Sequence, residues 1–197
     1  MASAREKLPQ LGLWDSEVSK PNHDTITLWA HKHAEMLARQ YVTTYADHFN
    51  ERGIDLLPDW PHALLERNPE LGMPPPKCPT LVSKRELEAV LRGRSEGASR
   101  YNPILGYGDL LLHCEAHVLG TIESERPRKK EWWVETMRFQ ILVEVKTELP
   151  TLGELMRQLN LYRESVRHVI VVAPDEKYAE LLSEQGILFV RYDADLT

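Results

Sequence analysis

Three residues whose types suit metal-assisted hydrolysis stand at an informative spacing. Asp109 follows Gly-Tyr-Gly at the beginning of one apolar run, whereas Glu144 and Lys146 lie two residues apart at the end of another. Strand alternation puts the side chains of Glu144 and Lys146 on one face. If the two strands pair, two carboxylates and an ammonium group share a patch that suits Mg²⁺ or Mn²⁺, with a lysine placed to orient an attacking water.

Glu-Val-Lys alone is a weak signal, because a solvated strand edge often carries the same pattern. The segment that follows strengthens it. Gln158 and Tyr162 lie four residues apart on the next predicted helix, which places them on one helix face. An acidic residue, an acidic-x-lysine pair and this helix therefore come in an order that favours a single site.

Two regions meet at a proline-rich joint. The recurrence of apolar residues predicts a helix from Asp24 to His48, with Asp24 as its N-cap and Gly53 just beyond its end. A short helix around Pro61–Arg67 follows. The segment Gly72–Pro79 contains three consecutive prolines, which indicate a stiff linker. We therefore predict a helical accessory region over residues 1–79 and a second region over residues 80–197.

The second region has an α/β pattern. Ser83 to Glu86 resembles a capping box that opens a helix with Leu87, Val90 and Leu91 on its buried face. The remaining predicted elements are strands within Ile104–Val118 and Trp132–Lys146, a helix over Thr151–Arg163, a strand over His168–Ala173, a helix from Pro174-Asp175 to Gly186 and a strand over Ile187–Tyr192. Gly120–Glu131 is interpreted as a hairpin insertion. The order predicts a mixed sheet flanked by helices.

In these motifs the chain resembles the PD-(D/E)XK, or restriction-endonuclease-like, nuclease superfamily. The resemblance covers roughly residues 83–192, and Gln158 with Tyr162 matches the Gln-x-x-x-Tyr motif of its RecB-like and lambda-exonuclease-like branches. It implies an αβββαβ core with an N-terminal helical extension. Gly108 stands before Asp109 where the family often has proline, and the interval between Asp109 and Glu144 is long.

The resemblance also implies roles for individual residues. Asp109 and Glu144 would bind Mg²⁺, for which Mn²⁺ can substitute, together with the backbone carbonyl of Val145. Lys146 would be the catalytic lysine, and Gln158 and Tyr162 would orient the substrate or that lysine. Family members often carry a glutamate on the helix before the strands, and the candidates here are Glu86, which the capping box also explains, and Glu88, which a solvated helix face also explains.

Contact with nucleic acid is predicted at one basic cluster. With a net charge of −6 and a pI near 5.8, the chain lacks the composition of a protein that coats nucleic acid. The proposed phosphate-binding residues, four in the hairpin and one on the helix after the motif, are Arg126, Arg128, Lys129, Lys130 and Arg157.

Several other site classes are set aside. His113, Cys114 and His117 invite a zinc reading, but strand alternation points Cys114 away from the two histidines. The chain has no P-loop and no Gly-x-Gly-x-x-Gly before a helix. Two cysteines, no apolar run long enough to span a membrane and no secretory pattern at the N-terminus predict a cytoplasmic protein.

The function predicted from the sequence is Mg²⁺-dependent hydrolysis of DNA phosphodiester bonds. The resemblance implies that this takes place in a bacterial, phage or mobile-element DNA-processing or defence system. The alternative is a nuclease-like DNA-binding or assembly subunit of a transposase or defence complex, without activity of its own. RNA as substrate, endonuclease against exonuclease action, protein partners and a homodimer all stay open at this point.

Overall fold

The computed structural model describes residues 21–45, 55–56, 81–93, 102–125 and 128–196, and over 117–136 it describes the backbone alone. The helices are α1 (His23–Lys32), α2 (Ala34–Thr44), α3 (Leu152–Arg163) and α4 (Ala179–Glu184). The strands are β1 (Asp55–Leu56), β2 (Val82–Arg92), β3 (Ile104–Glu125), β4 (Arg128–Val145), β5 (His168–Ala173) and β6 (Leu188–Arg191). The predicted mixed α/β class is confirmed.

One mixed sheet organises the described residues. Its order is β1-β3-β4-β5-β6, and β2 also pairs with β3. The strands β2, β3 and β4 are antiparallel neighbours, whereas β4, β5 and β6 run parallel. The antiparallel half is joined by the β3–β4 hairpin, and the parallel half needs crossover helices, which α3 and α4 supply. The carboxyl ends of β4, β5 and β6 therefore lie at the same edge.

Helices cover both faces of this sheet. On one face, α1 and α2 pack over every second residue of the strands, including Leu110, Ile141 and Val143. On the other face α3 and α4 pack over Leu142 and Val171. Two hydrophobic cores with the sheet between them give a three-layer α/β/α arrangement. The helices of residues 21–45 thus share a core with the sheet, while the predicted boundary near Pro79 lies outside the described residues.

The first predicted helix is two helices. α1 begins after the N-cap Asn22, whose side chain accepts from the backbone N–H of Thr25 at 2.7 Å, so the prediction of Asp24 as N-cap was wrong. His33 leaves helical geometry at φ −95° and ψ 18° and separates α1 from α2. Apolar periodicity does not detect this break, because both helices bury residues against the same sheet face. The predicted segment beyond residue 45, with Gly53, and the helix at Pro61–Arg67 lie outside the described residues.

The helix predicted from Ser83 was wrong, because residues 82–92 form strand β2. Leu91 is buried as predicted, but Leu87 and Val90 are 46% and 43% exposed. The strand is built by pairing with β3 over its whole length. Its start is fixed by Glu35 of α2, which accepts the N–H groups of Leu81 and Val82 at 3.0 and 2.9 Å. Long-range pairing therefore overrides the local capping pattern.

The elements after β4 agree more closely with those predicted from the sequence. Thr151 caps α3 in a reciprocal capping box with Glu154. Strand β5 has the predicted bounds, and Gly186 ends the α4 turn in the left-handed region at φ 68°. The helix predicted from Pro174-Asp175 begins later, at Ala179, because Asp175 accepts from the Lys177 N–H at 3.0 Å and forms a turn instead.

The alternation of side chains between the two sheet faces is interrupted in the paired strands β2 and β3, at Glu88 and Asp109. Leu110 is buried under α1 and α2, yet a Cβ built on Gly108 points to Leu142 on the α3 side. Two residues apart on a regular strand would share a face, so the pleat is broken between them. Glu88 faces this break with φ 50°, a strained value for a residue with a side chain. From here residues 89–92 and 104–108 form a two-stranded ribbon that packs against α3, and β3 pairs with β4 only from Leu110 onward.

The predicted insertion at Gly120–Glu131 is a continuation of the β3–β4 hairpin. The two strands pair from Leu110↔Val143 to Glu125↔Arg128. Arg126, which was predicted in this insertion, lies outside the described residues. No helix among the described residues has both the length and the apolar character needed to cross a bilayer.

Gly108 is predicted to be indispensable to the break. A Cβ at this position would lie 2.3 Å from Cδ1 of Leu142, a side chain with no solvent exposure. We expect Gly108→Ala to lower the free energy of unfolding by about 1–3 kcal/mol through overpacking. Urea denaturation measures this value.

Gly153→Ala is the matched control for Gly108→Ala. An added Cβ at Gly153 meets nothing within 4 Å, and alanine suits the first turn of α3 better than glycine. This control should be neutral or stabilising. Equal stability of wild type and Gly108→Ala would contradict the packing argument.

Candidate active site

A polar cluster lies at the carboxyl end of β4. It consists of Asp109, Glu144, Lys146, Gln158 and Tyr162, the five residues predicted as catalytic, and it is called the polar cluster below. β4 contributes Glu144 as its penultimate residue, and Lys146 follows the strand with its N–H donated to the Val172 carbonyl at 2.9 Å. Crevices at the carboxyl ends of parallel strands are frequent ligand sites in open α/β sheets.

The side chain of Asp109 joins β3 to the end of β4. Its Oδ2 accepts the backbone N–H of Val145 at 2.7 Å, so a carboxylate takes the place that a strand carbonyl would otherwise fill. This contact is made where the pleat breaks, since β3 and β4 begin their ladder one residue later, at Leu110 and Val143. The bond fixes the carboxylate of Asp109 beside the end of β4, and hence beside Glu144.

Glu144 is the one polar or charged residue among the described ones that is buried, with 2% of its surface exposed. Its Oε1 accepts from Lys146 Nζ at 2.7 Å and from Gln158 Nε2 at 2.8 Å, whereas its Oε2 is buried and has no hydrogen-bond partner. Burial, and next the charge of Asp109, raise the pKa of Glu144 to about 7 although Lys146 opposes the shift. One carboxylate oxygen is therefore desolvated and unsatisfied.

Gln158 and Tyr162 connect α3 to both strands. Gln158 Nε2 donates to Glu144 and also to the Tyr162 hydroxyl, at 2.9 Å. That hydroxyl donates in turn to the Tyr107 carbonyl at 3.2 Å. Burial is the main reason that the pKa of Tyr162 is raised, so the hydroxyl keeps its proton for this bond. A chain of hydrogen bonds thus runs from the buried carboxylate to the backbone of the ribbon.

His23 is a member of this site that the sequence did not reveal. It is the first residue of α1, and its Nε2 lies 3.1 Å from Asp109 Oδ1. A histidine at a helix start is unremarkable in a sequence, and this one is far along the chain from Asp109. Only the packing of α1 against the sheet brings the imidazole to the carboxylate.

The other predicted residues lie elsewhere. Glu86 and Glu88 are on strand β2, so the prediction of helix carboxylates was wrong. Glu86 accepts from Lys84 at 2.8 Å and is 3.5 Å from His113. Arg157 is exposed on α3 near Glu154. The remaining basic candidates are Arg126, outside the described residues, and Arg128, Lys129 and Lys130, whose backbone begins β4.

The donor set of the polar cluster fits a divalent cation. Asp109 and Glu144 supply carboxylate oxygens. Oε2 of Glu144 is a buried acceptor without a hydrogen-bond partner, so it is available to a cation. No three His, Cys, Asp or Glu side chains within the described ranges form a ready metal cage. Such a partial set suits Mg²⁺ or Mn²⁺, which keep water and substrate oxygens in their remaining positions, and not a structural zinc.

Glu144 should make folding stability depend on pH. Its pKa of about 7 in the fold lies above the ordinary value of 4.5, so its contribution is fully present below pH 4.5 and is lost as the pH rises through 7. In EDTA, we expect Glu144→Gln to gain stability relative to wild type by a few kcal/mol between pH 4.5 and 8.

Chemical denaturation at several pH values tests this dependence. Glu180→Gln, which changes an exposed carboxylate on α4, is the control and should follow wild type throughout. A difference between Glu144→Gln and wild type that is constant with pH would contradict the assignment of a buried, uncompensated carboxylate.

Comparisons with known proteins were made by family, by curated sequence and by structure. No family model, no curated protein and no solved structure matches this chain. The resemblance to the PD-(D/E)XK superfamily therefore stays a prediction from the sequence.

Proposed function

We propose that this chain is a metal-dependent nuclease that hydrolyses DNA phosphodiester bonds at the polar cluster. The observation that carries the proposal is Glu144, a buried carboxylate with one unsatisfied oxygen, held beside Asp109 and Lys146. Structural ion pairs seldom leave a buried carboxylate oxygen without a partner, because the cost of desolvating it is high. A site that binds a cation and an anionic substrate accounts for that cost.

The order of elements supports the finer prediction of a restriction-endonuclease-like core. α2 is followed by the antiparallel strands β2, β3 and β4, then by α3 and the parallel strand β5. Among the described elements, and apart from the two-residue β1, this gives the order αβββαβ. Its first helix is α2, which lies in the region predicted as accessory, and not the helix predicted from Ser83, which is strand β2. The acidic residue lies on the middle of these three strands and the acidic-x-lysine pair on the next, as the resemblance implies.

Asp109 and Glu144, with the carbonyl of Val145, are the groups that would hold the cation. A divalent cation bound there would polarise the scissile phosphate and make a bound water more acidic than bulk water. Lys146 is 20% exposed, so its ammonium can leave Glu144 and donate to a water or a phosphate oxygen. Gln158 keeps the carboxylate of Glu144 in place when Lys146 moves, because it donates to the same oxygen.

His23 extends this donor set at its exposed side. Its side chain is 49% exposed and lies against Asp109 Oδ1, where it can donate to an incoming anion or offer a nitrogen to the cation. The site therefore combines two carboxylates, an ammonium group and an imidazole.

The proposal is tested by cutting assays on plasmid, linear and single-stranded DNA and on RNA, with Mg²⁺, Mn²⁺ or EDTA. We expect cutting of DNA with either cation and none in EDTA. Asp109→Asn, Glu144→Gln and Lys146→Ala should each lower the rate by about 100-fold or more, as loss of a group that stabilises transition-state charge does. Glu180→Gln, purified in the same way, is the control and should cut normally.

A second readout in this test does not need activity. Mn²⁺ should raise the melting temperature of wild type at pH 8 and should do so less for Asp109→Asn and Glu144→Gln. Cutting that survives EDTA, or that persists in all three variants, would refute the nuclease. DNA binding without cutting would favour the alternative of an assembly subunit.

Gln158 provides a further test of how the site is held. Gln158→Ala removes the bond to Glu144 and the bond to Tyr162, but none of the proposed cation ligands. We expect the cutting rate to fall by roughly tenfold or more, whereas the Mn²⁺-induced rise in melting temperature is largely kept. Asn160→Ala, an exposed position on the same helix, is the matched control. Loss of the cation response in Gln158→Ala would show that this residue acts on cation binding instead.

A further inference from the structure

The ribbon next to the polar cluster has an outer face that is apolar and exposed. Gly106 and Gly108 turn the inner face to α3, since a Cβ on Gly106 would lie 2.9 Å from the Tyr162 ring. Alternation points Tyr107 to the opposite side, and it is 61% exposed. Val90 is its partner across the ladder and is 43% exposed. The two side chains form a small apolar platform.

The platform is continuous with the polar cluster. Tyr107 is two residues from Asp109 on the same strand, and its carbonyl accepts the hydroxyl of Tyr162. Tyr107 is thus held at its backbone by the cluster, while its ring has no aromatic partner among the described residues. An aromatic ring that is fixed at the backbone and open at its face is suited to stacking.

We infer that Tyr107, supported by Val90, is a stacking platform for an unpaired base, so that the site takes single-stranded or frayed nucleic acid. This inference rests on the proposed function and names its substrate class. Bases of an intact duplex are already stacked and present no free π-face, whereas an unpaired base does. Because Tyr107 lies two residues before Asp109 on β3, we expect a base stacked on Tyr107 to bring its phosphate toward the polar cluster and His23.

Binding in EDTA separates this inference from catalysis. Fluorescence anisotropy would compare a labelled single-stranded oligonucleotide with its duplex on wild type, Tyr107→Ala and Tyr107→Phe. Loss of one base–aromatic stack should weaken single-strand binding by Tyr107→Ala roughly 5- to 100-fold, while Tyr107→Phe keeps the ring and stays near wild type. Leu181→Ala removes an apolar side chain on α4 that is 45% exposed, and it is the control.

A series of single-stranded oligonucleotides, each lacking one base at a different position, locates the contact. In wild type, one abasic position should weaken binding by the same factor as Tyr107→Ala does. In Tyr107→Ala that abasic position should add no further loss, because the partner ring is already gone. Equal affinity of wild type and Tyr107→Ala for the single strand would overturn the inference, and so would an equal loss on single strand and duplex.

The two proposals can fail separately. Cutting that depends on Asp109 and Lys146, with single-strand binding indifferent to Tyr107, leaves the nuclease and removes the platform. Single-strand binding that depends on Tyr107, without any cutting, leaves the platform and removes the nuclease. Because the Tyr107 ring is exposed, its variants should keep the melting temperature of wild type, which a thermal melt verifies.

Discussion

The desolvated carboxylate of Glu144 is the constraint around which the described structure is arranged. A charge with 2% exposure is costly in an apolar strand end, and each neighbouring element supplies part of what offsets that cost. Lys146 donates from the chain that leaves β4, and Gln158 donates from α3. The compensation is incomplete, since Oε2 has no partner. The described structure therefore keeps an uncompensated desolvation cost at the place where the chemistry is proposed.

The second dependence is geometric and concerns Asp109. Its carboxylate reaches Val145 only because the pleat breaks at Glu88 and Asp109, where a regular strand would turn the side chain straight out from one face. The same break sends residues 104–108 over α3, which brings the Tyr107 carbonyl to the Tyr162 hydroxyl. A single irregularity thus positions both the acidic residue and the far end of the hydrogen-bonded chain. It also explains why glycine is required on the inner face of the ribbon.

The sequence predicted the cluster better than it predicted the elements around it. Glu144 with Lys146, and Gln158 with Tyr162, follow from local spacing, because each pair lies at one strand end or on one helix. Asp109 was added as the acidic residue at the beginning of the preceding apolar run. β2 was mistaken for a helix, since Ser83 to Glu86 imitates a capping box and the pairing that decides its state is with distant β3. His23 was missed for a related reason: its contact with Asp109 exists only after α1 has packed on the sheet. Sequence patterns thus predicted the residues whose contacts are local, and they failed where a contact joins distant parts of the chain.

The helices of residues 21–45 limit how this fold can change in evolution, because they share a hydrophobic core with the sheet. Ile26 and Leu37 have no solvent exposure and belong to the same core as Ile141 and Ile170. Glu35 also holds the first two amides at the start of β2. Replacement of these helices by another accessory unit would therefore expose one face of the sheet and remove the hydrogen bonds at the start of β2. New partners would have to be acquired at surfaces that this core does not use.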